Sequence, residues 1–537
     1  MVSNNEAVSQ PSPVLPQAQN DLLGLALSGG GIRATLFSLG VVIGLIEMKC
    51  HTRLRCVTSV SGGSILNAAL AHNTPLCDLS DLKGFETLAS KLASSLASRG
   101  AFALSWRSLA ATSRYLASFV GRVILSLLVP LGVAFLFLLD NLEQKTTFRM
   151  TDLAYIYTPV WNLVRMYPWT FVVLLLLWVV AAFFFSRGLL QEAEYHSVIS
   201  HVASDQHQKA GLLVKEWGQK PSQGKPHVMH VLVATDLMSG APMYFSREFV
   251  YCEPYGWSDP RKVTTSVALY GSAAFPGVFP PKKLKLNSLA FQNGDMPGAL
   301  PKDVRLVDGG VYNNLGTDWF DTLRKQWAQQ PPLLWPFGEL TVTWPKIEPE
   351  NIIVVNAGAP SSTIKWLPPI PLPRIMSVLY DNTVRPRMSL LEVARRPWID
   401  IKESPFQLAT RLALNGKKDC EDQASRAQSL VKTLEGKAPE FWADFSRDTS
   451  GTPTKLSSAG ERTAARLMLH GYLSSVVLCH VTFGATLPGT FKGEEYFLKT
   501  LVRGEKPLED AKKAEPQNVA PDRQADTAGH DVKEATS

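Results

Sequence analysis

Ser61 stands in "TSVSGGS" (Thr58 to Ser64), after an apolar run and before a helix-forming one, with Gly62 and Gly63 directly behind it. A serine on such a strand–turn–helix bend takes a strained conformation that pushes its hydroxyl outward. The positions two before and two after must then be small, so that strand and helix can pass closely. The usual pattern has glycine at both places; here Ser59 fills the first and Gly63 the second. The same residues also read as an ordinary turn.

A serine hydroxyl becomes a useful nucleophile only when a positioned base accepts its proton. The chain has ten histidines. Those in the body, such as His227, His230, His470 and His480, fall within helix or strand patterns without a companion acid and read as packed or surface residues. An acid offers the other solution. "RLVDGGVYNN" sets Asp308 at the carboxyl end of an apolar strand, with Gly309 and Gly310 allowing close approach.

A third block, "LALSGGGIRAT", carries Gly29, Gly30 and Gly31 between an apolar run and a helical one. Adjacent glycines at that junction imply that something approaches the bare backbone. Gly29-x-Gly31-x-x-Ala34 formally satisfies the loose dinucleotide fingerprint, which also wants an acid about 20 positions on. After Glu47 the next acid is Asp78, and no Gly-Lys-Ser/Thr follows the glycines. Nucleotide phosphate is therefore disfavoured.

The elements that must position these blocks alternate. Strand candidates at Leu22 to Leu27 and Arg55 to Val60 are followed by helical spacing over Thr35 to Met48 and about Gly63 to Ala71. Three further apolar strands lie in "HVMHVLVATDL", "VRLVDGG" and "NIIVVNAG". Such alternation predicts an α/β domain with a largely parallel sheet and its chemistry at the strand carboxyl ends.

In order, "SGGGIRA", "SVSGGS" and "VDGGVYNN" resemble the glycine-rich loop, serine elbow and Asp-Gly-Gly block of the patatin-like phospholipases. "VLVATDLMSGAPMYF" and "SVALYGSAAFPGVFPP" are also similar, with a weaker echo in "TPTKLSSAGERTAARLMLHGY" (Thr452 to Tyr472). The resemblance implies a three-layer patatin-like fold, a Ser61–Asp308 dyad and an oxyanion hole lined by the amides of Gly29, Gly30 and Gly31. Arg33 matches an arginine of the related cytosolic phospholipase A2 group, implying a place near anionic substrate or oxyanion; the alternative is a helix-capping or surface arginine. The expected activity is a lipid acyl hydrolase of phospholipase A or lysophospholipase type. A transacylase and a catalytically silent lipid-binding scaffold are the alternatives. An aspartate base without an imidazole favours esters over amides.

Two segments, 123–139 ("VILSLLVPLGVAFLFLL") and 169–185 ("WTFVVLLLLWVVAAFFF"), carry no charge over 17 residues each. That is the lower end of the length that crosses about 30 Å of hydrocarbon. They read as a transmembrane hairpin inserted at about 120–187, or alternatively as a pair of buried core helices. Residues 1–20 and 504–537 are polar and Pro-punctuated tails, leaving 21–503 as the hydrolase domain interrupted by the hairpin.

A net charge of +7, with basic residues dispersed, argues against nucleic acid. Six scattered cysteines without CxxC pairing and no amino-terminal secretion-like stretch fit a cytoplasm-facing catalytic domain. No calcium loop or zinc-ligand spacing is present, so no metal or cofactor is expected. The expected partners are membrane acyl lipids, with "PPLLWPFGEL", "IKWLPPIPLP" and "PPKKLKL" as candidate interfacial loops or plain surface loops.

Overall fold

The computed structural model describes residues 22–73, 75–101, 187–205, 208, 212–217, 227–322, 345–358, 372–419, 421–434 and 439–505. The apolar hairpin segments, both tails and the loops at 331–340 and 364–371 lie outside the described residues.

An 11-stranded sheet organises the molecule. Its parallel part comprises β1 (Leu23–Leu27), β2 (Leu54–Ser59), β3 (Met229–Asp236), β10 (Ile352–Asn356) and β11 (Trp398–Asp400), ordered β11-β10-β1-β2-β3. Beyond β3 the sheet turns antiparallel through β4 (Pro242–Phe245), β5 (Val250–Cys252), β6 (Gly256–Ser258) and the two-residue β8 (Gln292–Asn293). The sequence reading did not anticipate this extension, because its strands are short and alternate weakly. The fold is mixed α/β, and the expected parallel block forms one side of the sheet, from the edge strand β11 to β3.

Strand β9 (Asp303–Asp308) has a special place. It pairs antiparallel with β3 and, on its other edge, with β7 (Lys282–Lys285). On β3, Ser59 of β2 is registered with Leu232, whereas Asp308 of β9 is registered with Ala234. β4 occupies the opposite edge of β3 at both positions. So β2 and β9 share one edge of β3 and run toward each other, with their carboxyl ends meeting.

Two cores flank the sheet, as alternating side chains require. Leu25 and Leu27 join one cluster with α1 (Gly31–Glu47), α2 (Ser61–Ala71), α3 (Lys83–Ser98) and α4 (Thr265–Ala273). Ala26, from the other face of the same strand, joins a second cluster with Trp319, Phe320 and Leu391 of the later helix α6 (Leu372–Val393). The short α5 (Gly310–Asn313) follows β9 directly. The carboxyl-terminal region adds α7 (Pro405–Asp419), α8 (Glu421–Leu434), α9 (Pro439–Ser450) and α10 (Glu461–Phe483).

Helix α10 is long and apolar enough to cross a membrane by composition, yet 78% of its apolar window is buried. It packs along α1 through missing side chains. A Cβ at Gly471 would overlap the Phe37 carbonyl, and one at Gly40 would overlap the Met468 carbonyl. This is a core helix crossing at backbone distance.

Gly471→Ala tests that crossing. Alanine alone gains about 1 kcal/mol of helix propensity over glycine, whereas forcing a methyl into this contact costs about 1–3 kcal/mol. Net destabilisation in chemical unfolding is expected, and a stabilised variant would show that the helices are less tightly apposed.

Candidate active site

Ser61 ends the β2 turn and begins α2, with φ 51°, in the left-handed region. A non-glycine residue held in a sparsely populated backbone region costs about 1–3 kcal/mol and persists only when its surroundings impose it. They do so here through a buried polar network. The Ser61 amide donates to Ser272 Oγ (3.2 Å), and Ser272 Oγ donates to the Val233 carbonyl (2.7 Å). Ser64 Oγ lies 2.8 Å from Ser272 Oγ and donates to Ser59 Oγ (3.0 Å). Asn67 Nδ2 donates to Ser59 Oγ (2.9 Å), and its Oδ1 accepts from His230 Nδ1 (2.7 Å).

His230 is thus a support beneath the elbow. Burial pushes its pKa down to about 3, so the imidazole is neutral and stays out of proton transfer. Ser59, where the usual elbow has glycine, fits because its hydroxyl is absorbed by this network. Ser272 escaped the sequence reading as a functional residue; its signal was the small-residue run Gly271-Ser272-Ala273-Ala274.

Asp308 is 1% exposed. Its amide donates to the Ala274 carbonyl (3.0 Å), its carbonyl accepts from Thr235 Oγ1 (3.0 Å), and its Oδ1 accepts from the Gly310 amide (2.8 Å). Burial pushes the carboxyl up to about 6, opposed by the Ser61 hydroxyl and the Gly310 amide. Oδ2 has no partner of regular hydrogen-bond geometry, so the Ser61 contact is a loose one. Apo active-site hydrogen bonds are often long and tighten with substrate.

The three expected oxyanion glycines divide. The Gly29 amide is already given to the Asn314 carbonyl (3.0 Å), and a Cβ there would strike the Asn314 side chain and crowd Ser61. Gly29 therefore packs the loop, and the expectation that its amide lines the hole is corrected. Gly30 (φ 144°) and Gly31 (φ 61°) take backbone conformations that side chains rarely adopt. Both border the cavity described below at the amino terminus of α1, where the next amide, that of Ile32, is given to the Lys455 carbonyl (3.0 Å). Helix α1 starts four residues earlier than its apolar spacing indicated, which brings that terminus to the site.

Gly62 and Gly63 are required by space. A Cβ at Gly62 would overlap the Gly31 carbonyl oxygen; one at Gly63 would sit 2.7 Å from the Leu27 carbonyl oxygen. Arg33 is 1% exposed and does not line the cavity. Its Nε and Nη2 donate to the Ala357 carbonyl (3.0 and 2.8 Å) and its Nη1 to the Thr452 carbonyl (2.6 Å). The expected contact with substrate or oxyanion is replaced by a clamp on main chain. Burial lowers the guanidinium pKa to about 10, partly offset by Asp400.

Ser61, Asp308, Gly30 and Gly31 share one cavity of about 560 Å³. Ala273, Phe275, Val278 and Phe279 give it an apolar lining. The rest comes largely from the carboxyl-terminal half: Asn356, Gly358, Tyr380, Asp381, Val384, Lys402 and residues 454–457. Of these, the sequence singled out only the stretches around Asn356 and Gly358 and the weak echo that holds 454–457; Tyr380, Asp381, Val384 and Lys402 carry no motif. Among the described residues no group of three His, Cys, Asp or Glu side chains is placed to hold a metal ion.

The strained serine at the end of β2 and the buried carboxylate at the end of β9 thus share one largely apolar cavity at the edge of the sheet. The chain belongs to the patatin-like phospholipase family, whose model matches residues 25–321. No curated protein matches it. Among solved structures it is similar to a human GIVD cytosolic phospholipase A2 (12% identity, TM-score 0.25), covering 48% of this chain and 28% of that one. It is also similar to VipD from Legionella pneumophila (13% identity, TM-score 0.23), covering 90% of this chain and 91% of that one.

Gly62→Ala is expected to lose activity by about a hundredfold or more, because displacing the oxyanion loop by even 1 Å misaligns reacting groups. Turnover of a soluble ester, measured beside a circular dichroism melt, checks this; near-parental turnover would place the loop elsewhere during catalysis.

Proposed function

We propose that the protein is a membrane-tethered serine hydrolase that cleaves acyl esters of phospholipids or lysophospholipids through a Ser61–Asp308 dyad. The observation carrying this reading is the meeting of β2 and β9 end to end on one edge of β3, which puts the strained serine and the buried acid in one cavity.

Ser61 Oγ attacks the ester carbonyl while Asp308 takes its proton. Negative charge gathers on the carbonyl oxygen, where the Gly30 and Gly31 amides receive it; a preorganised donor of this kind contributes about 3 kcal/mol. Collapse of the tetrahedral intermediate breaks the ester C–O bond, and Asp308 returns the proton to the departing lysolipid or glycerol hydroxyl. Water, deprotonated by Asp308, then attacks the acyl-serine; the acyl C–Oγ bond breaks, Asp308 returns that proton to Ser61 Oγ, and a fatty acid is released. A single carboxylate suffices because an alkoxide leaving group needs less proton assistance than an amine.

Tethering rests on the two uncharged 17-residue segments within 102–186. The flanks of that insertion meet on the body, where Gln191 Nε2 donates to the Ala101 carbonyl (2.6 Å). An insertion that leaves and returns at one place suits a hairpin that enters the bilayer and comes back, with the catalytic domain on the cytoplasmic side.

Fatty-acid release from mixed phospholipid vesicles by detergent-purified protein tests the chemistry. Ser61→Ala and Asp308→Asn are each expected to lose about a thousandfold or more in kcat/KM while remaining folded. Retention of activity by Ser61→Ala would reject the dyad.

The acid limb follows from the carboxyl raised to about 6. Asp308 accepts a proton only when ionised, so kcat/KM should fall about tenfold per pH unit below that value and level off above it. A flat profile from pH 4 to 8 would remove Asp308 as the base. For the tether, the full chain is expected to stay with membranes through alkaline carbonate washing; release would count against the hairpin.

A further inference from the structure

The charge carried by the cavity bears on which lipid enters it. Lys402 and Lys455 both line the cavity that holds Ser61 and Asp308. Among the described residues neither ammonium is in salt-bridge contact; Lys402 acts on the Asp400 carboxylate only through space, and the acids nearest it in sequence have other hydrogen-bond or ion-pair partners. Asp400 accepts from Asn356 Nδ2 (2.9 Å) and from the Lys402 amide (2.9 Å), while Glu403 is paired with Arg411 (2.8 Å). Lys455 is fixed through its backbone, its carbonyl accepting from the Ile32 amide (3.0 Å), which leaves a half-buried side chain beside the glycine loop.

The apolar lining and the cationic lining come from different parts of the chain. Phe275, Val278 and Phe279 belong to the segment between α4 and β7, next to Asp308. Lys402 follows β11, which stands three strands from β2 in the order β11-β10-β1-β2. That spacing is about 14 Å between strand axes, at roughly 4.8 Å each. Lys402 is therefore on the part of the lining remote from the elbow, as the headgroup of a glycerophospholipid is remote from its acyl ester. Asp308 and Asp381 also line the cavity, so the two lysines act by their place in it, away from Asp308, and not through a net positive charge.

We infer that Lys402 and Lys455 form a subsite for the phosphate of a lipid headgroup and favour anionic phospholipids over uncharged acylglycerols. This inference rests on the acyl-hydrolase reading above and adds its headgroup selectivity. Two lysines on the lining of a cavity that is otherwise largely apolar suit a molecule that is anionic at one end and acyl at the other. Lysine serves as a point charge for phosphate and holds it without a fixed fork geometry.

The test uses full-length protein and short-chain substrates below their aggregation limits, so that attraction to a charged membrane surface plays no part. The readout is the ratio of kcat/KM for dioctanoyl phosphatidylglycerol to that for dioctanoylglycerol. In the Lys402→Ala/Lys455→Ala variant this ratio is expected to fall at least tenfold, and in Lys402→Arg/Lys455→Arg to stay near the parental value. A ratio unchanged by the alanine pair overturns the inference while leaving the hydrolase reading intact. Loss of ester hydrolysis in the parent itself would overturn that reading, and this inference with it. Activity that responds to added inorganic phosphate in the parent but not in the alanine variant, with an unchanged ratio, would assign the lysines to free phosphate and overturn the lipid assignment.

Discussion

The whole site depends on one steric constraint, the contact between two stretches of bare backbone. The loop after β1 and the turn after β2 touch where Gly62 meets the Gly31 carbonyl and Gly29 faces Ser61. A single Cβ on either side would force them apart. Because they touch, the amino termini of α1 and α2 open at the same point, and the glycines of one stand beside the strained serine of the other. Glycine's entropic cost is accepted here in exchange for that approach.

Electrostatics then sets the working state of the acid. Asp308 is buried, and burial pushes its carboxyl up while its hydrogen-bond donors oppose the shift. The Gly310 amide and the Ser61 hydroxyl bring its pKa back to about 6. The result is a carboxylate that is ionised at pH 7 and still a far better proton acceptor than an exposed aspartate. Beneath it, the network of Ser59, Ser64, Asn67, Ser272 and neutral His230 satisfies buried polar atoms and fixes the elbow. A partly satisfied network at this depth would cost more than it contributed.

The carboxyl-terminal half completes the cavity from beyond the family match. Arg33 clamps the glycine loop to both the end of β10 and the strap around Thr452, so loop, strand and strap are held as one body. The strap adds Lys455 and Leu456, and α6 adds Tyr380, Asp381 and Val384. The matched region thus carries Ser61, Asp308 and the glycines, while much of the cavity lining comes from residues outside it.

By itself the sequence determined the α/β class and the strand ends that carry Ser61 and Asp308, while the family resemblance raised their pairing as an expectation. These are local matters: apolar runs, glycine at turns, and polar residues at strand ends leave their marks within a few positions. Tertiary structure alone decided that the Gly29 amide is spent on Asn314, that Arg33 clamps main chain, and that Ser272 supports the elbow. It also decided that α10 is a buried core helix and that Lys402 and Lys455 share the cavity. Each of those depends on partners up to several hundred residues away, and a hydrogen bond or a close approach at that separation leaves no periodicity in the chain to be read.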